Sequence, residues 1–297
     1  MTVKSTSLLS LIFKIILFIS LHFYLFSICL SYGQDINYVI KFADKNYKSA
    51  NYNTAIKEYQ RAIYFADSSL LPDLYMQTAH SYYFIQNYSE AIKYYQKALG
   101  YLSTDSIILE CKFQIISCYI FLEHFRFALQ ELDKTDFINS EYNIEKRNLF
   151  YGICYFGRQE YDLSFGRFLK AVPNNDMSTS QKLNQLFKNS GELYRPSPKF
   201  AKFLSIIVPG LGQIYCGDIK GGLNSLFIFT GLLYLGVNLS QIYNNNLFIL
   251  SIIPWQQRYY LGGIRNAKIN AENKRSINRS IYFNKIIDIL NKVKAGV

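Results

Sequence analysis

The chain has few of the side chains on which metal-dependent and covalent catalysis depend. It contains three histidines, which stand far apart, and five cysteines, none of which forms a C-x-x-C pair. Zinc sites and disulfide frameworks both require such residues at close, regular spacings. The sequence therefore predicts no metal site, and it indicates that the cysteines pack as small apolar residues.

Motifs of nucleotide-dependent and nucleophilic enzymes are also missing. The run G-L-G-Q at 210–213 lacks the strand–turn–helix context and the further residues of a phosphate-binding loop. Neither a nucleophile–base pair nor a pair of carboxylates in a cleft-like setting stands out. We therefore expect a protein that is not an enzyme, that needs no cofactor and for which no small-molecule substrate is identified.

Acidic residues are scarce in the last third of the chain. Residues 34–199 carry 19 Lys and Arg against 18 Asp and Glu, whereas residues 200–297 carry 11 against 3. The basic surplus lies beside apolar runs, where positive charge marks the cytoplasmic side of a membrane or contacts anionic lipid. This distribution favours membrane lipid as a partner over nucleic acid, although the whole chain has a net charge of +11.

The first 33 residues have the pattern of an export signal. Two lysines precede or begin a long apolar stretch, and Ser31 and Gly33 supply the small residues of a cleavage site. The apolar stretch is also long enough to remain in place as an uncleaved membrane anchor. We therefore predict a signal peptide at 1–33, with the anchor as the alternative.

Residues 34–175 repeat four times with a period of 36 or 37 residues. One set of small residues recurs after an aromatic residue, and a second, mostly small set lies twelve positions upstream. The first set is Ala55, Ala91, Ala128 and Ser164, and the second is Ala43, Ala79, Ile116 and Gly152. A period in this range predicts paired helices stacked as a solenoid, because each pair has an apolar face that only a neighbour can bury.

These repeated positions resemble the tetratricopeptide repeat, in which small residues let two paired helices approach and aromatic residues fill the gaps. The resemblance implies an all-α array that binds a partner protein on a concave face lined by the first helix of each pair. The candidate partner-binding residues on that face are Lys41, Lys45, Gln77, His80, Tyr83 and Lys112.

Residues 176–199 separate the repeats from the apolar region. Ser and Thr residues followed by a stripe of Leu and Phe predict a helix at 176–188 that caps the open end of the array. The sequence R-P-S-P-K at 195–199 predicts a stiff linker, because its two prolines disfavour helix on either side.

The apolar run at 203–222 is broken by proline and glycine, and a cleaner apolar run follows. The broken run resembles TM2-like bacterial membrane modules, whose hallmark is P-G-x-G-x-x-Y-x-G before a transmembrane helix. The matching residues are Pro209, Gly210, Gly212, Tyr215 and Gly217, with Gly221 following. The resemblance implies a helical transmembrane hairpin or three-helix module at 200–267, and it implies no biochemical activity.

Charge predicts the number of membrane crossings. Residues 223–243 are free of charge and long enough to span a bilayer at ~1.5 Å per residue. The segment 201–216 is broken and 247–264 is more polar, so either two or three segments cross. We expect three, because only an odd number places a basic tail in the cytoplasm when the repeats are exported. This predicts a bacterial inner-membrane protein with periplasmic repeats and a cytoplasmic tail.

Two further features concern the membrane. Arg258 is a candidate functional residue, because an intramembrane charge is costly and usually faces a partner or a cavity. The alternative is that its side chain snorkels to the interface. Residues 268–297 predict a basic amphipathic helix suited to the membrane surface.

Together these features predict a non-catalytic, membrane-tethered scaffold that binds a partner protein or assembly through its repeats. The alternative is an accessory subunit of a membrane transport or membrane-protein insertion machine. In that case the broken helices and Arg258 take part in the transport or insertion, and the repeats regulate it.

Overall fold

The computed structural model describes residues 16–21, 35–135, 140–242 and 252–294. Over these ranges the chain is all-α and contains no strand, which confirms the all-α part of the predicted fold class. Apart from a helical stretch at 16–21, the predicted signal peptide at 1–33 lies outside the described residues. The helices are α1 (Ile36–Lys48), α2 (Tyr52–Phe65), α3 (Leu71–Phe84), α4 (Tyr88–Leu99), α5 (Asp105–Phe121), α6 (Phe125–Asp133), α7 (Glu141–Gly157), α8 (Tyr161–Lys170), α9 (Met177–Lys188), a 3₁₀ helix (Ser190–Tyr194), α10 (Pro198–Ile207), α11 (Leu211–Tyr215), α12 (Ile219–Ile242) and α13 (Ile253–Lys294).

The chain divides into two compact units, Met1–Asn139 and Ser140–Val297. In the first unit each helix from α1 to α6 contacts the next one along the chain. The small residues of the repeated pattern are fully buried at these contacts: Ala43, Ala55, Ala79, Ala91 and Ala128. A larger side chain at such a position has no space, which is the physical reason for the small-residue pattern.

One turn shape recurs after the first helix of each pair. Ala50, Gln86, Glu123 and Gln159 all have a positive φ, between 57° and 67°. In each turn this residue's N–H bonds to the carbonyl three residues earlier, and the next N–H bonds to the carbonyl five residues earlier. This is the Schellman pattern of helix ends, in which the left-handed position usually takes glycine. The four turns recur with the period of the sequence repeat, although none of them contains glycine at that position.

Gln86→Gly should therefore raise the stability of the protein. A non-glycine residue in the left-handed region costs roughly 1–2 kcal/mol, and glycine avoids this cost. About half of the gain is offset, because glycine gives the unfolded chain greater conformational freedom. The expected gain is about 0.5–1 kcal/mol, measured as a higher Tm of the detergent-solubilised chain. Gln96→Gly, at an exposed position within α4, is the matched control and should cost about 1 kcal/mol. Equal losses in the two variants would contradict the turn geometry.

The second unit begins with the α7–α8 pair. Gly152 in α7 faces the ring of Phe168 in α8, and a Cβ at Gly152 would overlap that ring. The Ser164 hydroxyl of α8 donates to the Gly152 carbonyl at 2.8 Å. Helix α9 follows after Asp176, whose carboxylate accepts from the Thr179 N–H at 3.0 Å. A helix thus occurs where the sequence predicts a capping helix, with Asp176 as its N-cap.

Helix α13 is the longest element, with 42 residues and a length of about 63 Å at 1.5 Å per residue. It contains the end of the predicted membrane module as well as the predicted tail, and the helix continues without a break at residue 268. It contacts α9, the 3₁₀ helix, α10, α11 and α12.

The second half of α13 packs on protein, which differs from the predicted membrane-surface helix. Tyr282 and Ile286 belong to one buried cluster with residues of α7, α8 and α9: Phe156, Tyr161, Phe168, Leu183 and Phe187. The Tyr282 hydroxyl donates to the Leu186 carbonyl at 2.8 Å. Ile277 and Ile281 of the predicted apolar stripe remain exposed. Part of the apolar stripe therefore packs on protein, and part of it is exposed.

Polar side chains of α13 complete this contact. Arg275 donates through Nε to the Leu193 carbonyl at 3.1 Å and through Nη2 to Gln159 Oε1 at 3.2 Å. Asn278 donates to the Arg195 carbonyl at 3.2 Å. Carbonyls near the ends of helices have no intrahelical donor, so these side chains supply one. The sequence predicts a membrane between the tail and the end of the repeat region, whereas here the two are in contact.

Candidate functional site

The Pro-Gly motif folds as a tight helical hairpin, hereafter the Pro-Gly hairpin, made of α10, α11 and the residues that join them to α12. Helix α10 starts at Pro198 and extends about 15 Å at 1.5 Å per residue. It ends where Val208 takes an extended backbone, and Gly210 then turns the chain with φ +92°. A second reversal at Gly217, with φ +91°, leads into α12. Left-handed backbone at both positions accounts for the two glycines.

Other glycines of the hairpin permit close backbone contacts. A Cβ at Gly210 would overlap the Gly222 carbonyl, and one at Gly212 would overlap the Ala201 carbonyl and the Ser205 side chain. A Cβ at Gly221 would overlap the Asp218 carboxylate. Helices α10, α11 and α12 therefore meet at distances that only glycine allows.

Side chains satisfy backbone groups that the break in α10 leaves free. Pro209 has no N–H, so the last turn of α10 has carbonyls without a helical donor. The Tyr260 hydroxyl, from α13, donates to the Ile206 carbonyl at 2.7 Å. The buried Ser205 hydroxyl accepts from the Gly212 N–H at 3.1 Å. These bonds let an interrupted helix exist in apolar surroundings.

The base of the hairpin is fixed by residues that sequence reasoning missed. The Asp218 carboxylate accepts from the Gly221 N–H at 2.9 Å and from Asn270 Nδ2 at 2.8 Å. Ala201, Cys216, Ala267 and Ala271 form a small buried cluster beside it. Tyr215, a motif residue, accepts from the Ser197 N–H at 3.2 Å and packs edge-on against Phe200. Asp218 and Asn270 are 52 positions apart, so no local sequence pattern predicts their hydrogen bond.

Helix α12 and the first half of α13 lie antiparallel. Three contacts define their register: Asp218 with Asn270, Ser225 with Gly263, and Phe229 with Tyr260. We call this pair of helices the α12–α13 hairpin. Along α13 these contacts extend from Asn270 to Tyr260, whose hydroxyl also bonds to the Ile206 carbonyl at the end of α10.

The outer surface of these helices is apolar. Phe203 and Ile207 of α10, Phe227 of α12 and Leu261 of α13 are exposed, Phe227 to 70%. Among the described residues, α12 is the one helix long and apolar enough to cross a membrane, by length and composition. Exposed apolar area of this extent is typical of a membrane or protein contact.

Arg258 lies in a groove of about 510 Å³ between α12 and α13. The groove is lined by Asn224, Ser225, Ile228, Trp255, Arg258, Tyr259, Gly262, Gly263 and Asn266. The side chain of Arg258 is exposed, and among the described residues it has no ion-pair partner. Unlike the glycines of the motif, it has no evident packing role.

A buried glutamine lies behind the groove. Gln213 of α11 is 2% exposed, and its Nε2 donates to the Ser225 hydroxyl at 3.0 Å. Its Oε1 is buried and has no hydrogen-bond donor within the described chain. A buried amide oxygen without a donor is costly, which makes it a mark of a polar site.

The candidate partner-binding residues of the repeats fall into two environments. Lys41 and Lys45 are exposed on α1, and Lys112 donates to the Lys134 carbonyl at 2.9 Å. The other three are partly buried. Gln77 has a buried Oε1 without a donor in the described ranges, His80 packs edge-on against Tyr95, and Tyr83 contacts Phe84, Tyr88 and Phe121.

Burial changes the acid–base chemistry of several groups in the repeat region. It lowers the pKa of His80, although Glu110 opposes that shift, and it raises the pKa of Tyr83. It also raises the pKa of the Cys111, Cys118 and Cys154 thiols to about 12. Such thiols stay protonated at neutral pH and are poor nucleophiles.

A tyrosine cluster on the first unit was not found by sequence reasoning. Gln60 Nε2 donates to the hydroxyls of Tyr82 and Tyr94, at 3.1 and 2.7 Å. Lys97 lies over the Tyr94 ring at 4.9 Å, and Tyr75 joins the cluster to Tyr101, which is 48% exposed. The members come from three helices and the turn that follows α4, so no single helical period reveals the cluster.

No family model matches the chain, and no curated protein matches it significantly.

Replacing Gly212 by alanine should destabilise the second unit. The new Cβ would overlap the Ala201 carbonyl, and overpacking of this kind costs roughly 1–3 kcal/mol. Gly231→Ala is the matched control, because Gly231 in α12 has open space and alanine is about 1 kcal/mol better than glycine inside a helix. The two variants should shift the Tm of the detergent-solubilised protein in opposite directions. A shift of the same sign in both would contradict the close contact of α10 and α11.

Proposed function

We propose that the protein is a non-catalytic scaffold, tethered to a bacterial inner membrane, that binds a partner protein through tetratricopeptide-like helix pairs. The observation that carries this proposal is the tyrosine cluster formed by Gln60, Tyr75, Tyr82, Tyr94, Lys97 and Tyr101. Tyrosine is enriched at protein interfaces, because its ring gives large contact area with few torsions to fix and its hydroxyl remains available for hydrogen bonds.

The tether is the α12–α13 hairpin together with the Pro-Gly hairpin. Support for it comes from the apolar outer surface, the length of α12 and the internal satisfaction of backbone groups around Pro209. In this proposal α12 and the first half of α13 cross the bilayer, and α10 enters it only partway before the chain returns through α11. The TM2-like resemblance agrees with such a module.

The contacts of the second half of α13 with α7, α8 and α9 change the predicted topology, because residues in contact lie on the same side of a membrane. Two crossings return the chain to the side on which the repeats lie, so the repeats and the tail share a compartment. The export signal favours the periplasm for both, whereas the basic tail favours the cytoplasm. Because the second half of α13 packs on α7, α8 and α9, the tail stays with the repeats, whose side the export signal determines. We therefore assign the repeats and the tail to the periplasm.

Two reporter fusions test this topology. A reporter enzyme active only in the periplasm, fused after Asn174 or after Val297, should be active in both cases. Activity in one fusion and not in the other would contradict the packing of α13 on α8 and α9. Inactivity in both would preserve the shared side and show that the export signal is misassigned.

Site-specific cross-linking tests the partner surface. A photoreactive phenylalanine analogue at position 101 should give one discrete cross-linked product in intact cells. The analogue at position 142, an exposed tyrosine of α7 outside the cluster, is the control and should give none. Tyr101→Ala should then weaken binding of the identified partner by at least about tenfold, as for a central interface tyrosine, whereas Tyr142→Ala should not. Identical products from positions 101 and 142 would contradict the proposal.

A second candidate function is supported by Arg258. An exposed arginine in a polar groove between membrane helices fits an accessory subunit of a transport or membrane-protein insertion machine, in which the groove contacts another membrane protein. The same photoreactive analogue at Ile228, on the groove wall, distinguishes the two functions. A protein adduct from Ile228, with none from position 101, favours the second candidate.

A further inference from the structure

The groove between α12 and α13 combines one positive charge with neutral polar groups and aromatic rings. Asn224 and Asn266 provide hydrogen-bond donors, and Trp255 and Tyr259 stack on each other with ring centroids 6.3 Å apart. None of the groove's lining residues is acidic. A volume near 510 Å³ lies within the usual range of small-ligand sites.

No acidic side chain among the described residues pairs with Arg258. Residues 200–297 contain three acidic residues, and each lies elsewhere in the second unit. Asp218 bonds to Asn270 at the base of the hairpin, and Glu272 pairs with Lys268 at 3.6 Å. Asp288 stands thirty residues from Arg258 on the same helix, about 45 Å away along its axis. Within the described residues Arg258 is thus a positive charge to which an anionic ligand can bind.

The buried Gln213 amide supports the wall of the groove from behind. It donates to the Ser225 hydroxyl at 3.0 Å and lies against Gly263. Both Ser225 and Gly263 line the groove. The position of the Ser225 hydroxyl in the groove is thus fixed by a buried side chain.

We propose that this groove binds one anionic phospholipid, whose phosphate pairs with the Arg258 guanidinium. The planar guanidinium fork matches phosphate oxygens in a two-bond arrangement. A lipid fits better than a free anion, because the groove is flanked by the exposed apolar residues Phe227 and Leu261. The inference rests on the proposed membrane hairpin.

The single tryptophan of the chain gives a direct reporter, because it lines the groove. The purified full-length protein is placed in phosphatidylcholine nanodiscs that contain increasing fractions of brominated phosphatidylglycerol or, in parallel, brominated phosphatidylcholine. Bromine quenches Trp255 only at close range. We expect phosphatidylglycerol to quench as if enriched about fivefold next to the groove, the fold change that corresponds to roughly 1 kcal/mol for one basic residue near the membrane surface.

Two variants locate the effect. Arg258→Gln should abolish the preference for phosphatidylglycerol while leaving quenching by brominated phosphatidylcholine unchanged, which shows that the variant is folded and inserted. Arg265→Gln is the control, because Arg265 is an exposed arginine of the same helix that does not line the groove. It should keep the preference.

Four other outcomes of the quenching experiment would each contradict the lipid site. Equal quenching by both lipids in the unmodified protein removes the site but leaves the membrane hairpin intact. Absence of quenching by either lipid with a monomeric protein contradicts the hairpin itself, and with it the proposed tether. Relief of quenching by millimolar inorganic phosphate identifies a free anion as the ligand. Weak quenching by both lipids in a protein that cross-links to itself identifies a second copy as the occupant.

Discussion

The packing of the second unit depends on the continuity of α13. Every described element from α9 onward contacts this one helix. At one level Ala267 and Ala271 meet Ala201 and Cys216 of the Pro-Gly hairpin, and at the other Tyr282 and Ile286 enter the aromatic cluster of α7 to α9. Because both clusters share a single helical axis, the hairpin and the end of the repeat region are held by the same rigid element.

The Pro-Gly motif is explained by backbone hydrogen bonding. A helix broken by proline frees carbonyls and amides, and in apolar surroundings no water pairs with them. Here Ser205 and Tyr260 supply the missing partners, and the glycines let three helices approach closely enough for those bonds to form. Motif residues therefore account for the shape of the Pro-Gly hairpin.

Sequence patterns predicted the features that arise from local or periodic constraints. The 36- and 37-residue spacing predicted the helix pairs, because a buried and mostly small residue recurs at the same contact between paired helices. Pro209 and Gly210 predicted the break in α10. The pairing of Asp218 with Asn270 and the tyrosine cluster depend on residues from different helices, so no local signal exists for them. The apolar stripe of the tail was predicted to face the membrane surface, whereas Ile286 packs on protein and Ile277 and Ile281 are exposed, because the pattern of such a stripe is the same for lipid and for protein.

The two contact faces of α13 also constrain its length. Ala267 and Tyr282 are fifteen residues apart, as are Ala271 and Ile286, so the faces have a fixed helical phase. One inserted residue between them would rotate one face by about 100° against the other. Seven inserted residues would restore the phase to within about 20° but separate the faces by roughly 10 Å. The 3₁₀ helix ends at Tyr194 and α10 begins at Pro198, a link too short to follow such a shift. The number of residues between the two contact faces therefore fixes both their relative rotation about the helix axis and their separation along it.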